Sequence, residues 1–266
     1  MQLALNHMTM PRLDWRALLM LAKRSGCTGV EFRNDLGRPL FEGFTAETVC
    51  EEAQALGLSV FGLSQVGMFN DWSDAKAQEV ASLITVAQDL EAETISLIPR
   101  NDGTGLDDLN AVKVALREIL PLLEEADMTA LVEPLGFVQS SLRTKAEAIE
   151  AIEAVGGASR FKLVHDTFHH FLSGETEFFA DWTGMVHVSG VTDPDISLVT
   201  IADRDRGVVT EDDRLDNLGQ LSALRAAGYA GPVSMEAFAP EFHKLPADKA
   251  EGLLMASFDL LRTVTG

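Results

Sequence analysis

Two cysteines, Cys27 and Cys50, are too few to frame a chain of 266 residues, so a disulfide scaffold is excluded. Both read as free thiols of a reducing compartment. Long apolar runs are also missing: nothing approaches the roughly 18 to 20 residues of a membrane-spanning helix. The segment from Met1 to Trp15 lacks a basic stretch followed by an apolar one, as a secretory leader would have. A cytoplasmic protein with no membrane partner is expected. Positive charge is scarce, with 21 basic against 41 acidic side chains and a net charge of −20. Most of such a surface repels a phosphate backbone, which argues against nucleic acid. The acid excess reads as a solvated, solubilising exterior and says little about substrate. No repeat, low-complexity tract or linker interrupts the chain, and 46% hydrophobic content suffices for one full core, so a single domain over 1–266 is expected.

What is present is an alternation of two periodicities. Short apolar runs at Leu3–Asn6, Gly29–Arg33, Ser59–Leu63, Thr94–Ile98, Ala130–Glu133, Phe161–His165, Met185–Val188 and Val233–Glu236 read as strands. Between them, apolar residues fall at helical spacing, as in Trp15, Leu18, Leu19, Leu21 and Ala22, or Val112, Leu116, Ile119, Leu120 and Leu123. Further helices are expected over Ala46–Leu56, Ala75–Leu90, Lys145–Val155, Leu215–Ala227 and Lys249–Val264. Gly26, Gly57, Gly156 and Gly228 follow helices where a left-handed cap belongs. Eight βα units point to a single (β/α)8 TIM barrel of the α/β class. An open doubly wound sheet would usually carry a Gly-rich turn after its first strand, where this chain has Asn6-His7-Met8-Thr9. The long Asp- and Arg-rich stretch from Thr192 to Asp213 reads as a lid over the barrel mouth.

Four of the runs, TALVEP, FKLVHD, GMVHVSG and PVSMEA, end on or beside Glu133, Asp166, His187 and Glu236. Singly, either glutamate reads equally as a helix cap, and His187 as a satisfied core histidine. Together, four costly polar groups at successive buried strand ends are hard to ascribe to packing. Strands five to eight are neighbours in a closed barrel, so their C-terminal ends converge. Three oxygen ligands and one imidazole suit one divalent cation: Mn²⁺ first, with Mg²⁺, Co²⁺ or Zn²⁺ compatible by ligand type.

These residues resemble the xylose isomerase-like TIM barrels, a group that includes sugar isomerases, ketose 3-epimerases, hydroxypyruvate isomerases, inosose isomerases and dehydratases, and endonuclease IV repair enzymes. The resemblance runs over the whole chain and is most specific at Glu133-Pro134, Asp166-Thr167-Phe168-His169, His187 and Ser234-Met235-Glu236. The stretches Glu133–Phe137 and Gly228–Glu236 are most similar to inosose isomerases. The resemblance implies a metal held by Glu133, Asp166, His187 and Glu236 and a small polyhydroxy carbonyl substrate. It implies isomerisation or epimerisation through a cis-enediolate, with Glu133 and Glu236 as the proton-transfer pair. A dehydratase-type lyase on the same site, or a hydroxypyruvate isomerase, is the alternative. Barrels of this family often associate through outer helices, so a homo-oligomer is compatible. The endonuclease branch needs more histidines and a basic face than this chain supplies.

The resemblance also assigns His169 and an arginine after strand seven to substrate oxygens. Arg206 fits that place best, with Arg204 its rival. Either arginine reads equally as a surface ion pair with Asp203, Asp205 or Asp212. Where several epimerases carry a second glutamate, this chain has Gln139, which holds a hydroxyl but cannot act as a base. His7 and Arg33 follow strand ends that should face the same mouth and are further candidates. Glu31 shares a strand face with Arg33, and an ion pair between them explains both equally well. Met68, Phe69 and Trp72 read as core or as an apolar wall against a sugar ring. His170 reads as a neighbour of the site.

Overall fold

A computed structural model describes residues 1–106 and 108–266. Eight parallel strands close on themselves in chain order, β1 (Gln2–Asn6), β2 (Gly29–Arg33), β3 (Ser59–Gly67), β4 (Thr94–Ile98), β5 (Thr129–Val132), β6 (Phe161–Asp166), β7 (Thr183–Val188) and β8 (Pro232–Met235). The outer ring is α1 (Trp15–Arg24), α2 (Ala46–Ala55), α3 (Asp74–Asp89), α4 (Leu109–Ala126), α5 (Lys145–Ala154), α6 (Thr167–Ser173), α7 (Asn217–Ala226), α8 (Pro240–His243) and α9 (Ala247–Thr265). The molecule is a single (β/α)8 barrel. Among the described residues, no helix is long and apolar enough to cross a membrane.

Helix boundaries follow local chemistry. Asp14, Thr45, Ser73 and Asp108 each accept a first-turn backbone N–H, and Thr144 with Glu147 forms a reciprocal capping box at α5. The four glycines expected as caps all have positive φ, which a Cβ would penalise. The structure adds two helices to those expected, α6 and α8, both short and at the barrel mouth. It also carries β3 four residues beyond Leu63, to Gly67.

The interior is layered by the two-residue period of a strand. Ala4, Phe61, Leu131, Val164 and Met185 form an apolar plug. Gly29 makes room for it, since a Cβ there would lie 2.4 Å from the Phe61 ring. Two residues further along four of those strands stand Asn6, Glu133, Asp166 and His187. The plug therefore floors a polar layer, and that layer is the mouth of the barrel.

Candidate metal centre and substrate cavity

Glu133 and Glu236 each sit one residue past a strand and are tied to the neighbouring one, Glu133 N donating to Leu97 O (3.1 Å) and Glu236 N to Val188 O (2.9 Å). Asp166 ends β6 and caps α6, its Oδ1 accepting from Phe168 N (2.8 Å) and His169 N (3.0 Å). His187 pairs in register with Asp166 on one side and Ser234 on the other. The barrel thus brings one ligand atom from each of Glu133, Asp166, His187 and Glu236 within 4.8 Å of one another, all buried.

The donor set fits a divalent cation. His187 Nδ1 is buried and has no hydrogen-bond partner among the described residues, although it lies 3.2 Å from Glu236 Oε2 and 3.7 Å from Glu133 Oε1. Its other nitrogen, Nε2, meets Glu31 Oε2 at 3.2 Å. The unengaged nitrogen faces the carboxylates, as a ligand atom must. The carboxylates also meet arginines, but each oxygen has a second lone pair.

The electrostatics are uneven. Burial disfavours charge on His187, yet Glu236, Glu31 and Glu133 outweigh it and hold the imidazole well above the usual histidine range. Burial pushes the Glu133 carboxyl up, and its partial relief by His187 does not reverse the direction. Burial acts on Glu236 too, but His187, Arg33 and Arg206 overcome it and hold that carboxyl far below the ordinary range.

Above these residues opens a cavity of about 380 Å³, with Glu133, Glu236, Arg33, Arg206 and His169 in its wall. A larger one, about 440 Å³, lies between the loops after β1 and β8 against Met10, Leu13, Phe242 and Leu245, and meets none of the four candidate ligands. Arg206 is fully buried; Nη2 donates to Asp166 Oδ2 (2.5 Å) and Glu236 Oε2 (3.1 Å), Nη1 to Asp203 Oδ1 (2.9 Å) and Nε to Ser189 Oγ (3.0 Å). Arg204, its rival from the sequence, is exposed and donates to Thr200 O (3.4 Å). Arg33 donates to Glu236 Oε1 (2.5 Å) and forks onto Asp35 (2.8 and 2.7 Å). Of the two readings open for Glu31 and Arg33, the ion pair between them is not formed: Arg33 pairs with Asp35 and Glu236. His169 Nδ1 accepts from Gly136 N (3.3 Å), which leaves Nε2 for the cavity.

His7 does not line this cavity; it lines a small neighbouring one that shares Arg33. The chain enters a 3-10 turn at His7, and its Nε2 turns to Leu13 O (2.9 Å) and Arg38. Gln139 is exposed and lines an adjoining depression of about 270 Å³. Met68 reaches the cavity wall, whereas Phe69 is core and Trp72 packs on the core. His170 stacks near His165 on the outer side of β6. The stretch Thr192–Asp213 is pinned at its base by paired hydrogen bonds between Gly190 and Gly207 (2.8 Å each), and its Asp203 reaches Arg206.

The sequence reading missed Asp35, Gln65 and Phe238. Phe238 lies beneath the Arg206 guanidinium, 4.6 Å from its ring centre, and Asp35 anchors Arg33. Both lie beyond the ends of their strands, where the two-residue period gives no signal.

Comparison with known proteins gives a consistent picture. A family model described as xylose isomerase-like TIM barrel matches residues 19–264. An inosose isomerase of Halalkalibacterium halodurans is 31% identical over 148 residues, which are 51% of this chain and 48% of that protein. The match therefore spans about half the length of that curated relative. A solved xylose isomerase domain containing protein from Salmonella typhimurium is 30% identical, with a TM-score of 0.91 and coverage of 98% and 97% of the two chains. A solved IolI protein with a bound zinc atom shares the fold at 20% identity, with a TM-score of 0.88 over 99% of each chain.

Proposed function

The chain belongs to the xylose isomerase-like TIM barrel family, and from that premise we propose that it isomerises or epimerises a small, uncharged polyhydroxy ketone of the inosose or ketose type. The observation that carries the reading is the cluster of Glu133, Asp166, His187 and Glu236 within 4.8 Å, two of whose members, Glu133 and Glu236, line a 380 Å³ cavity. These four residues would hold the cation, for which Mn²⁺ is the first choice and Zn²⁺ has a precedent in the solved IolI protein. When bound, a divalent cation supplies Lewis acidity toward vicinal carbonyl and hydroxyl oxygens of the substrate.

The chain's own side chains do the proton work. Glu236 has arginine donors on both oxygens and rests as a carboxylate, so it is the member of the pair that starts unprotonated and takes the proton from the carbon beside the carbonyl, with a basicity that those donors lower. Glu133 has no arginine partner among the described residues and is free to deliver a proton to the adjacent carbon. The carbanion equivalent between these steps is an enediolate, whose oxygens Arg206 and His169 steady by hydrogen bonds. Phe137 packs edge-on against the His169 ring (5.0 Å between centres) and fixes its plane.

Charge supports a neutral substrate. The wall carries Asp35, Asp102, Glu133, Asp203 and Glu236, and its two arginines are already paired with carboxylates. Apart from the metal itself, a substrate carboxylate would find no unpaired cationic side chain among the described residues of the wall and would face its carboxylates, which disfavours hydroxypyruvate. The test is product analysis by NMR with Mn²⁺-loaded protein offered 2-keto-myo-inositol, a ketohexose and hydroxypyruvate. An isomeric ketone from a neutral compound supports the proposal. Loss of water to a diketone would place the chain among the dehydratases, and a clear preference for hydroxypyruvate would overturn the charge argument.

A further inference from the structure

The barrel interior holds one carboxylate that no role above uses. Glu31 is 0% exposed, and a buried carboxylate is costly unless it is paired. Its same-face neighbour Arg33 turns away to Asp35 and Glu236. Glu31 meets His187 instead, Oε2 lying 3.2 Å from Nε2, while Oε1 accepts from Asn6 Nδ2 at 3.2 Å. The Asn6 amide is itself oriented, because Met8 N donates to its Oδ1 (2.9 Å) and so turns Nδ2 toward Glu31.

The backbone makes room for this contact. The register between β2 and β3 shifts between Val30 and Glu31, which sets Glu31 opposite Gly62. A Cβ at position 62 would lie 3.3 Å from Glu31 Oε2 and 3.2 Å from Thr94 Oγ1. A glycine there leaves the glutamate its place, although its φ needs none of glycine's freedom. An acceptor on Nε2 also decides what Nδ1 does. The carboxylates around the ring favour a proton on each nitrogen, and a cation would take the place of the one on Nδ1; with the remaining proton held on the Glu31 side, the Nδ1 lone pair would face Glu133 and Glu236.

We infer that Glu31 is the positioning residue of the metal centre: it fixes His187 in the Nε2–H tautomer, presents Nδ1 as the ligand atom and thereby sets cation affinity. The inference rests on the metal reading above and assigns no contact between Glu31 and substrate. Partners in this position typically govern metal affinity by about 10–100-fold.

The experiment is calorimetric titration of Zn²⁺ into metal-free wild type, Glu31→Gln and Gly62→Ala. It is accompanied by thermal unfolding of each metal-free protein and by proton–nitrogen NMR of the histidine rings in the Zn²⁺-loaded state. Wild type should bind one cation per chain. Glu31→Gln, of equal size, should bind about 10–100-fold more weakly with metal-free unfolding within a few degrees of wild type, and the His187 Nε2–H resonance should shift or broaden. Gly62→Ala should act in the same direction by crowding Glu31 without touching its charge, and it serves if Glu31→Gln does not fold. Tight binding by wild type and both variants alike would overturn the inference and leave the metal centre standing. Weaker binding with an unmoved His187 resonance, matched by an equal loss of metal-free stability, would make Glu31 merely structural and overturn it as well. No binding by wild type would overturn both readings.

Discussion

Glu133 and Glu236 flank the same imidazole nitrogen, His187 Nδ1, at 3.7 and 3.2 Å, yet only Glu236 is held by arginines. The two glutamine variants should therefore differ in stability though both lose turnover. Removing a proton carrier lowers kcat by about 10²–10⁴-fold in either case. In the metal-free protein, Glu236→Gln also forfeits charged hydrogen bonds to Arg33 and Arg206, a loss of about 2–3 kcal/mol. Glu133→Gln replaces a carboxylate that burial already disfavours and should leave stability nearly unchanged. Thermal unfolding of the two variants checks this, and equal losses would contradict it.

His169 lies in the cavity wall and outside the set of four. His169→Ala should keep cation binding and lose substrate affinity and rate, by about 10-fold or more for one hydrogen bond of roughly 1.5 kcal/mol. Titration with Mn²⁺ and steady-state kinetics separate the two. Loss of the cation would move His169 into the ligand set.

The two candidate arginines of the loop after β7 are separated by burial. Arg206→Ala strips donors from Asp166 and Glu236 and should cost about 3–5 kcal/mol and nearly all activity. Arg204→Ala, at an exposed position, should stay within about 0.5 kcal/mol of wild type and retain its activity. A damaging Arg204→Ala would reverse the assignment.

Acid should weaken the fold through histidines away from the metal centre. Burial lowers His7 and His170 to about 4, the latter helped by Lys145, and lowers His243 despite its backbone hydrogen bonds. The unfolded chain takes up these protons near pH 6.5. The folded pKa values are depressed, so the stability they contribute is present above about pH 6.5 and is lost as pH falls through about 4. Urea midpoints measured between about pH 7 and 4.5 should fall, and fall less in His170→Gln. A flat profile would contradict the burial argument.

Strand ends were legible because an apolar run must stop where the barrel opens, and polar residues mark the stop. The two-residue period then carries the reading from Leu131, Val164 and Met185 up to Glu133, Asp166 and His187. Beyond the last strand residue that logic fails. His7 follows β1 directly, but a 3-10 turn begins there and sets its Nε2 against Leu13 O. Glu31 and Arg33 share a face as expected, yet partners across the barrel outcompete the neighbour two residues along. The helix α6 was hidden because Asp166 is at once a strand end and a helix cap. β3 runs on through Ser64 and Gln65, whose polarity masks the strand. Asp35 and Phe238 were placed by loop paths that no periodicity encodes.

The most direct test of the proposed chemistry is solvent-deuterium exchange. Protein loaded with Mn²⁺ and metal-free protein would each be incubated in D₂O with 2-keto-myo-inositol and a ketohexose, and the carbon beside the carbonyl followed by NMR after the cation is removed. Proton transfer by Glu236 and Glu133 predicts deuterium at that carbon, together with a rearranged ketone, in the loaded protein and not in the metal-free one or in Glu236→Gln. A rearranged ketone without deuterium, an exchange rate that Glu236→Gln leaves unchanged, or no exchange by protein shown to hold its cation would contradict it.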